Sequence, residues 1–308
     1  MKKFNKYYLL WAAFVAVYAA LVWITPANET APLLKYSLSA SQAKLIGLTF
    51  MVPIALIWLV AFYGLVAFKK YAKNLSEGTD SRPMSRLSAG LHVLVLSLPA
   101  ATIVNSVSTY LVRQRPGLLP VSTIISNYII LGLVLLAFWL LYRGSQALVG
   151  SLKKPAVSAR HKLLYSGFLI FCGLYAWVTL SNPERQFAAS AGSRAAYYLP
   201  DVLLILTIVL PYIFVWFFGI NTAYNISLYA LRVKGIIYRQ GLRTVALGLT
   251  GVVLSSTALR FLASLSSLLS NLSLRVLLMV VYILLTALAI GYILIAVGAK
   301  KLRKIEEA

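Results

Sequence analysis

The chain of 308 residues is 60% hydrophobic and 12% charged, about half the roughly 25% charge of a soluble domain, and its mean hydropathy is +0.83. At about 20 apolar residues per crossing, eight crossings take up more than half of the length and exclude a soluble catalytic domain. The 29 Lys and Arg against 7 Asp and Glu give a net charge of +22, and one cysteine, Cys172, excludes a disulfide framework or a multi-thiolate metal site.

Apolar runs of spanning length fall at 7 to 25, 45 to 68, 88 to 111, 121 to 142, 162 to 181, 199 to 226, 244 to 266 and 276 to 298. The first outlasts a signal-peptide core, and no small-x-small cleavage pattern follows before Pro26, so it is expected to stay attached. The second carries Thr49, Pro53 and Trp58; the third carries Thr102, Asn105, Ser106, Ser108 and Thr109; the fourth carries Ser126 and Asn127. The sixth opens at Asp201, passes Thr207, Pro211 and Trp216, and ends in Asn221, Thr222, Asn225 and Ser227. Ile226, Tyr229, Val233 and Ile236 continue at helical spacing, which predicts a basic amphipathic extension of this helix over 221 to 239 that projects or bends along the inner surface, as an interfacial segment or a docking surface. The seventh carries Ser255, Ser256, Thr257 and Arg260.

Direction follows from the cations, because Lys and Arg flanking a span are retained on the cytoplasmic side. The two termini and the segments after the second, fourth and sixth spans hold 21 of the 29 cations. Both termini are therefore expected in the cytoplasm, in a multi-pass protein of a bacterial-type cytoplasmic (inner) membrane. The same bias accounts for most of the net charge without nucleic acid, and the basic loops lack the interleaved aromatic platforms on which single strands stack. Membrane lipids, anionic headgroups first, are the expected partners. A second copy of the chain or a partner subunit is left open.

The chain also matches itself. A shift of 158 residues pairs Thr49, Pro53 and Trp58 with Thr207, Pro211 and Trp216, and Gly90, Ser97 and Ser106 with Gly248, Ser255 and Ser264. A shift of 154 pairs Phe14 and Trp23 with Phe168 and Trp177, and Tyr128 and Gly144 with Tyr282 and Gly298. Residues 1–150 and 151–308 thus read as two four-helix transmembrane repeats. Four is an even number of crossings, so the repeats are parallel, about a pseudo-twofold axis along the membrane normal. The expected fold is an all-α polytopic membrane protein of eight transmembrane helices. Proline removes the hydrogen bond to the carbonyl four residues back, which belongs to Thr49 or Thr207, so equivalent kinks are expected in helices two and six.

Catalytic sets are missing. Of the acids only Asp201 approaches a helix interior, and His92 and His161 are too few for a histidine-ligated metal or haem. There is no GxxxxGK[ST], HExxH or GxSxG. No enzyme activity and no cofactor are expected. What remains is an outer polar set, Asn105, Asn127 and Arg260, an inner set, Asn221 and Asn225, and an expected ion pair between Asp201 and Arg260. Such residues suit a channel or facilitator-like transporter for a small anion or neutral solute, its path along the seam between repeats. The alternative to this leading reading is a structural or lipid-binding subunit that docks partners through its basic cytoplasmic face and has no through-path.

Overall fold

The computed structural model describes residues 6–24, 39–74, 81–114, 119–150, 159–180, 186–187, 197–198, 202, 205–233, 235–268 and 273–304. Apart from one antiparallel ladder, Gln186 with Tyr198 and Phe187 with Tyr197, the elements are helices. They run α1 Lys6–Ile24, α2 Ala40–Asn74, α3 Ser81–Gln114, α4 Leu119–Val149, α5 Ala159–Leu180, a π-helical turn Ile205–Val209 leading into α6 Leu210–Arg232, α7 Ile236–Leu268 and α8 Leu274–Lys304. Helices are what apolar sequence of this length must form in lipid, where every backbone N–H and C=O has to be satisfied within the segment. Among the described residues, six helices are long and apolar enough to cross a membrane: all but α5 and α6. The apolar stretch of α5 is shorter, Tyr165–Val178. The chain is a membrane-embedded helical protein.

Local chemistry fixes several helix starts. Ser39 and Gln42 form a capping box at α2: Gln42 N donates to Ser39 Oγ at 3.3 Å, and Ser39 N donates to Gln42 Oε1 at 3.0 Å. At α8, Val276 N donates to Ser273 Oγ at 3.4 Å. The expected extension of helix six stops at Arg232, short of 239, and this corrects the sequence reading. Val233 turns extended, with φ −75° and ψ 132°, and α7 begins at Ile236. The Arg239 guanidinium closes this corner by donating to Val233 O at 3.1 and 3.3 Å.

The two prolines behave differently. Pro53 lies inside the continuous α-helix α2, whereas Pro211 follows the π turn and enters α6 in its first turn. A π turn shifts backbone bonding by one residue, which accommodates a ring that cannot donate. Thr49 Oγ1 donates to Ile46 O at 2.8 Å; the Thr207 side chain is outside the described residues.

Packing is closest in two helix pairs, α3 with α4 and α7 with α8, and small residues seven apart set it. A Cβ on Gly90 would stand 2.7 Å from Leu141 N, and one on Gly144 2.9 Å from Leu87 N and 3.0 Å from Pro83 O. In the other pair, a Cβ on Gly248 would stand 2.6 Å from Gly291 O, and one on Gly298 2.7 Å from Gly241 O. Backbones this near exploit dispersion contacts where hydrophobic attraction between helices is absent. The pairs are joined crosswise: α2 lies against α8, and α4 against α6. Trp58 and Trp216 are both buried, Trp58 against Tyr18 at 5.5 Å between ring centroids and Trp216 against Tyr175 at 4.8 Å.

Candidate functional site: an apolar junction, a basic end and a lateral cavity

Three regions have the geometry of a site. The first is the junction where α2, α3, α4, α6, α7 and α8 converge. Phe68, Leu87, Leu91, Leu141, Ile226, Val245, Leu249 and Ile295 close around a void of about 20 Å³ there. A void of that size holds a water only if two to four polar groups face it, and none of these side chains has one. The junction is a dry contact.

Apart from Thr257, the polar residues singled out in the sequence are satisfied locally where they are described. Ser97 Oγ donates to Leu94 O at 2.7 Å and Ser255 Oγ to Gly251 O at 2.7 Å, each within its own helix. Asn221 Nδ2 donates to Phe217 O at 2.7 Å, and its Oδ1 accepts from the Tyr165 hydroxyl of α5. Asn225 Nδ2 donates to Ser145 Oγ on α4 at 3.2 Å. The two asparagines of the inner set thus bind different neighbours. Asp201 and the side chains of Asn105, Asn127 and Arg260 lie outside the described residues, and with them the expected ion pair.

The second region is the basic end of the bundle. Contacts gather it: the Tyr71 hydroxyl donates to that of Tyr238 at 2.6 Å, joining α2 to α7, and Lys69 Nζ donates to the Tyr7 hydroxyl at 3.1 Å, joining α2 to α1. Here α2 carries Lys70 and Lys73, α3 carries Arg82 and Arg86, α4 carries Arg143 and α8 carries Lys300, all exposed. The described residues include no Asp or Glu. At about 1.5 Å per residue, the 35 residues of α2 reach roughly 50 Å, against about 30 Å of hydrocarbon. The basic turns therefore stand beyond the apolar layer. Among the described residues, no three His, Cys, Asp or Glu gather as a metal site. His92 packs edge-on against Tyr7 at 5.9 Å between ring centroids, and Cys172 is buried.

The third region was not found from the sequence. A cavity of about 790 Å³ lies between α5, α6, α7 and α8, lined from α5 by Gly167, Phe168 and Phe171, from α6 by Trp216 and Ile220, from α7 by residues between Val253 and Leu262, and from α8 by Val280 and Leu284. Phe171 bridges its walls, 5.0 Å from Trp216 and 5.6 Å from Phe261 between ring centroids. In the first half, α1 lies directly on α2, with Trp11 Nε1 donating to Ala55 O at 3.0 Å. The signal in the sequence is small: under the shift of 158, Pro99 of α3 stands where α7 has Thr257.

No known protein family, curated protein or solved structure matches this chain.

Proposed function

We propose that the chain is a non-enzymatic integral membrane protein that binds anionic lipid headgroups and docks partners through the basic end of its bundle, which faces the cytoplasm. The observation that carries this is the set of exposed cations on four helix ends, in a chain whose Lys and Arg outnumber Asp and Glu 29 to 7. Like charges held together repel, and anions must compensate them. An inner leaflet supplies such anions at about 1 kcal/mol per Lys or Arg near its surface. The positive-inside distribution gives the same orientation.

A tandem duplication of 1–150 into 151–308, in parallel orientation, is the second part of the reading. Supporting it, the shifts of 158 and 154 also pair the contacts of the two close helix pairs: Pro83 and Gly90 correspond to Gly241 and Gly248, and Ala137 and Gly144 to Gly291 and Gly298. The crosswise contacts, α2 on α8 and α4 on α6, exchange under the same twofold operation. A channel or facilitator for small anions or neutral solutes needs polar groups at several depths of one route. The dry six-helix junction speaks for docking over it.

The test is competition in nanodiscs of mixed anionic and zwitterionic lipid. Wild-type protein should hold anionic lipid in excess of the bulk ratio. Replacing Lys70, Arg82, Arg86 and Lys300 by Gln should lower that excess about tenfold or more, since four contacts are lost. An excess unchanged by the four substitutions would sink the proposal. Flux of small anions or neutral solutes above empty liposomes would restore the channel.

A further inference from the structure

We propose that the cavity between α5, α6, α7 and α8 is a binding site for one acyl chain of a membrane lipid. Its volume of about 790 Å³ lies within the roughly 300–1,000 Å³ of built ligand sites. Three facts fix the chemistry of the occupant.

Water is the first candidate, and the lining refuses it. Apart from the indole of Trp216, Thr257 is the one lining residue with a polar side chain. It is 7% exposed, and its Oγ1 is buried without a hydrogen-bond partner among the described residues. Its usual acceptor, the carbonyl four residues back, belongs to Val253 and already receives Ser256 Oγ at 2.9 Å. A cavity so poor in polar groups stays dry and takes apolar ligands.

A helix of a partner is the second candidate, and the volume refuses that. A spanning helix is about 10 Å wide and 30 Å long, a cylinder of more than 2,000 Å³, well beyond 790 Å³. A single hydrocarbon chain is thin enough. It is also the apolar material always present at this depth.

Entry is the third fact. Gly167 on α5 and Leu254 on α7 are exposed while lining the cavity, so its mouth opens sideways to the bilayer. A Cβ on Gly167 would meet nothing within 4 Å. The glycine leaves the mouth open without being needed for helix packing. The site is distinct from the basic end, and it does not depend on headgroup charge.

The experiment uses the full chain in nanodiscs containing a phosphatidylcholine with a photoactivatable diazirine midway along one chain, followed by mass-spectrometric mapping. Crosslinks should concentrate on 167–171 and 253–262, about tenfold above those on exposed Leu56, Leu247 and Ile283. Gly167→Phe should abolish that concentration. Gly173→Phe is the control, because a Cβ on Gly173 also meets open space and Gly173 does not line the cavity; it should leave the pattern intact. Ala258→Phe fills the cavity from α7 and should repeat the loss, which keeps the test decisive if one variant folds poorly. Labelling spread evenly over the lipid-facing surface, or concentration that survives both filled variants, overturns the site. An anionic diazirine lipid should give the same pattern, so failure here and failure of the headgroup reading are separable.

Discussion

Asn225 of α6 and Ser145 of α4 meet through one hydrogen bond, Nδ2 to Oγ at 3.2 Å, and the same Ser145 hydroxyl donates onward to Tyr142 O at 2.9 Å. The relay joins helices from the two halves of the chain. Interhelical bonds of this type average about 0.6 kcal/mol in membranes. A double-mutant cycle of Asn225→Ala and Ser145→Ala, read by thermal unfolding in detergent, should therefore return a coupling below about 1 kcal/mol. A coupling above about 2 kcal/mol would mean that the relay, not apolar packing, holds α4 to α6.

Close backbone approach predicts a larger effect at a glycine. Gly248→Ala puts a methyl 2.6 Å from Gly291 O and 2.7 Å from Ile295 N, both backbone atoms that cannot swing away. Overpacking of this kind costs about 1–3 kcal/mol. A Cβ on Gly132 of α4 meets nothing within 4 Å, so Gly132→Ala should stabilise by a few tenths to about 1 kcal/mol through helix propensity. Equal melting temperatures for the two variants would contradict the packing described for α7 and α8.

Orientation is tested by thiol labelling. In a Cys172→Ala background, a membrane-impermeant reagent applied from outside should reach cysteines introduced near Arg113 and Glu184 but not near Glu77 or Lys153. The reverse pattern would place the basic end on the outer face and remove the basis of the headgroup proposal.

The corner between α6 and α7 rests on the Arg239 guanidinium at Val233 O. A charged group bonded to a carbonyl contributes about 1.5–3 kcal/mol when buried and less here, where Arg239 is half-buried. Arg239→Ala should raise hydrogen exchange across 233–239 with little change elsewhere, and Arg239→Lys should restore it only in part, because the bond is made by two guanidinium nitrogens. Exchange as slow as in the wild type would show that the corner closes without this residue.

Hydropathy located the helices because apolar length is what a bilayer selects. It cut them short at the basic end: α3 begins at Ser81 and α7 at Ile236, not near 88 and 244. Those turns are helical but polar, which a search for spanning segments reads as loop. Composition likewise marked Asn221 and Asn225 as functional candidates but not their partners. Which way a side chain faces depends on helix rotation, and rotation depends on contacts such as Gly144 with Leu87, far apart in sequence. Serines such as Ser97 and Ser255 are poor guides to a polar path, since a neighbouring carbonyl of their own helix can satisfy them. The lateral cavity left almost no trace, because Phe168, Trp216 and Phe261 are what any lipid-facing or core surface could carry. It arises where α5 stands off its neighbours, a feature of spacing and not of residue type.

The seven-residue rhythm of small residues also governs how this protein can move. For α7 to slide along α8 by one turn, about 5.4 Å, Gly241 and Gly248 would have to leave Gly298 and Gly291 and face larger side chains. A one-turn ratchet, a common switching motion, would thereby lose these glycine contacts within α7–α8 and, by the same spacing, those of Gly90 and Gly144 within α3–α4. Each hairpin should travel as a rigid lever.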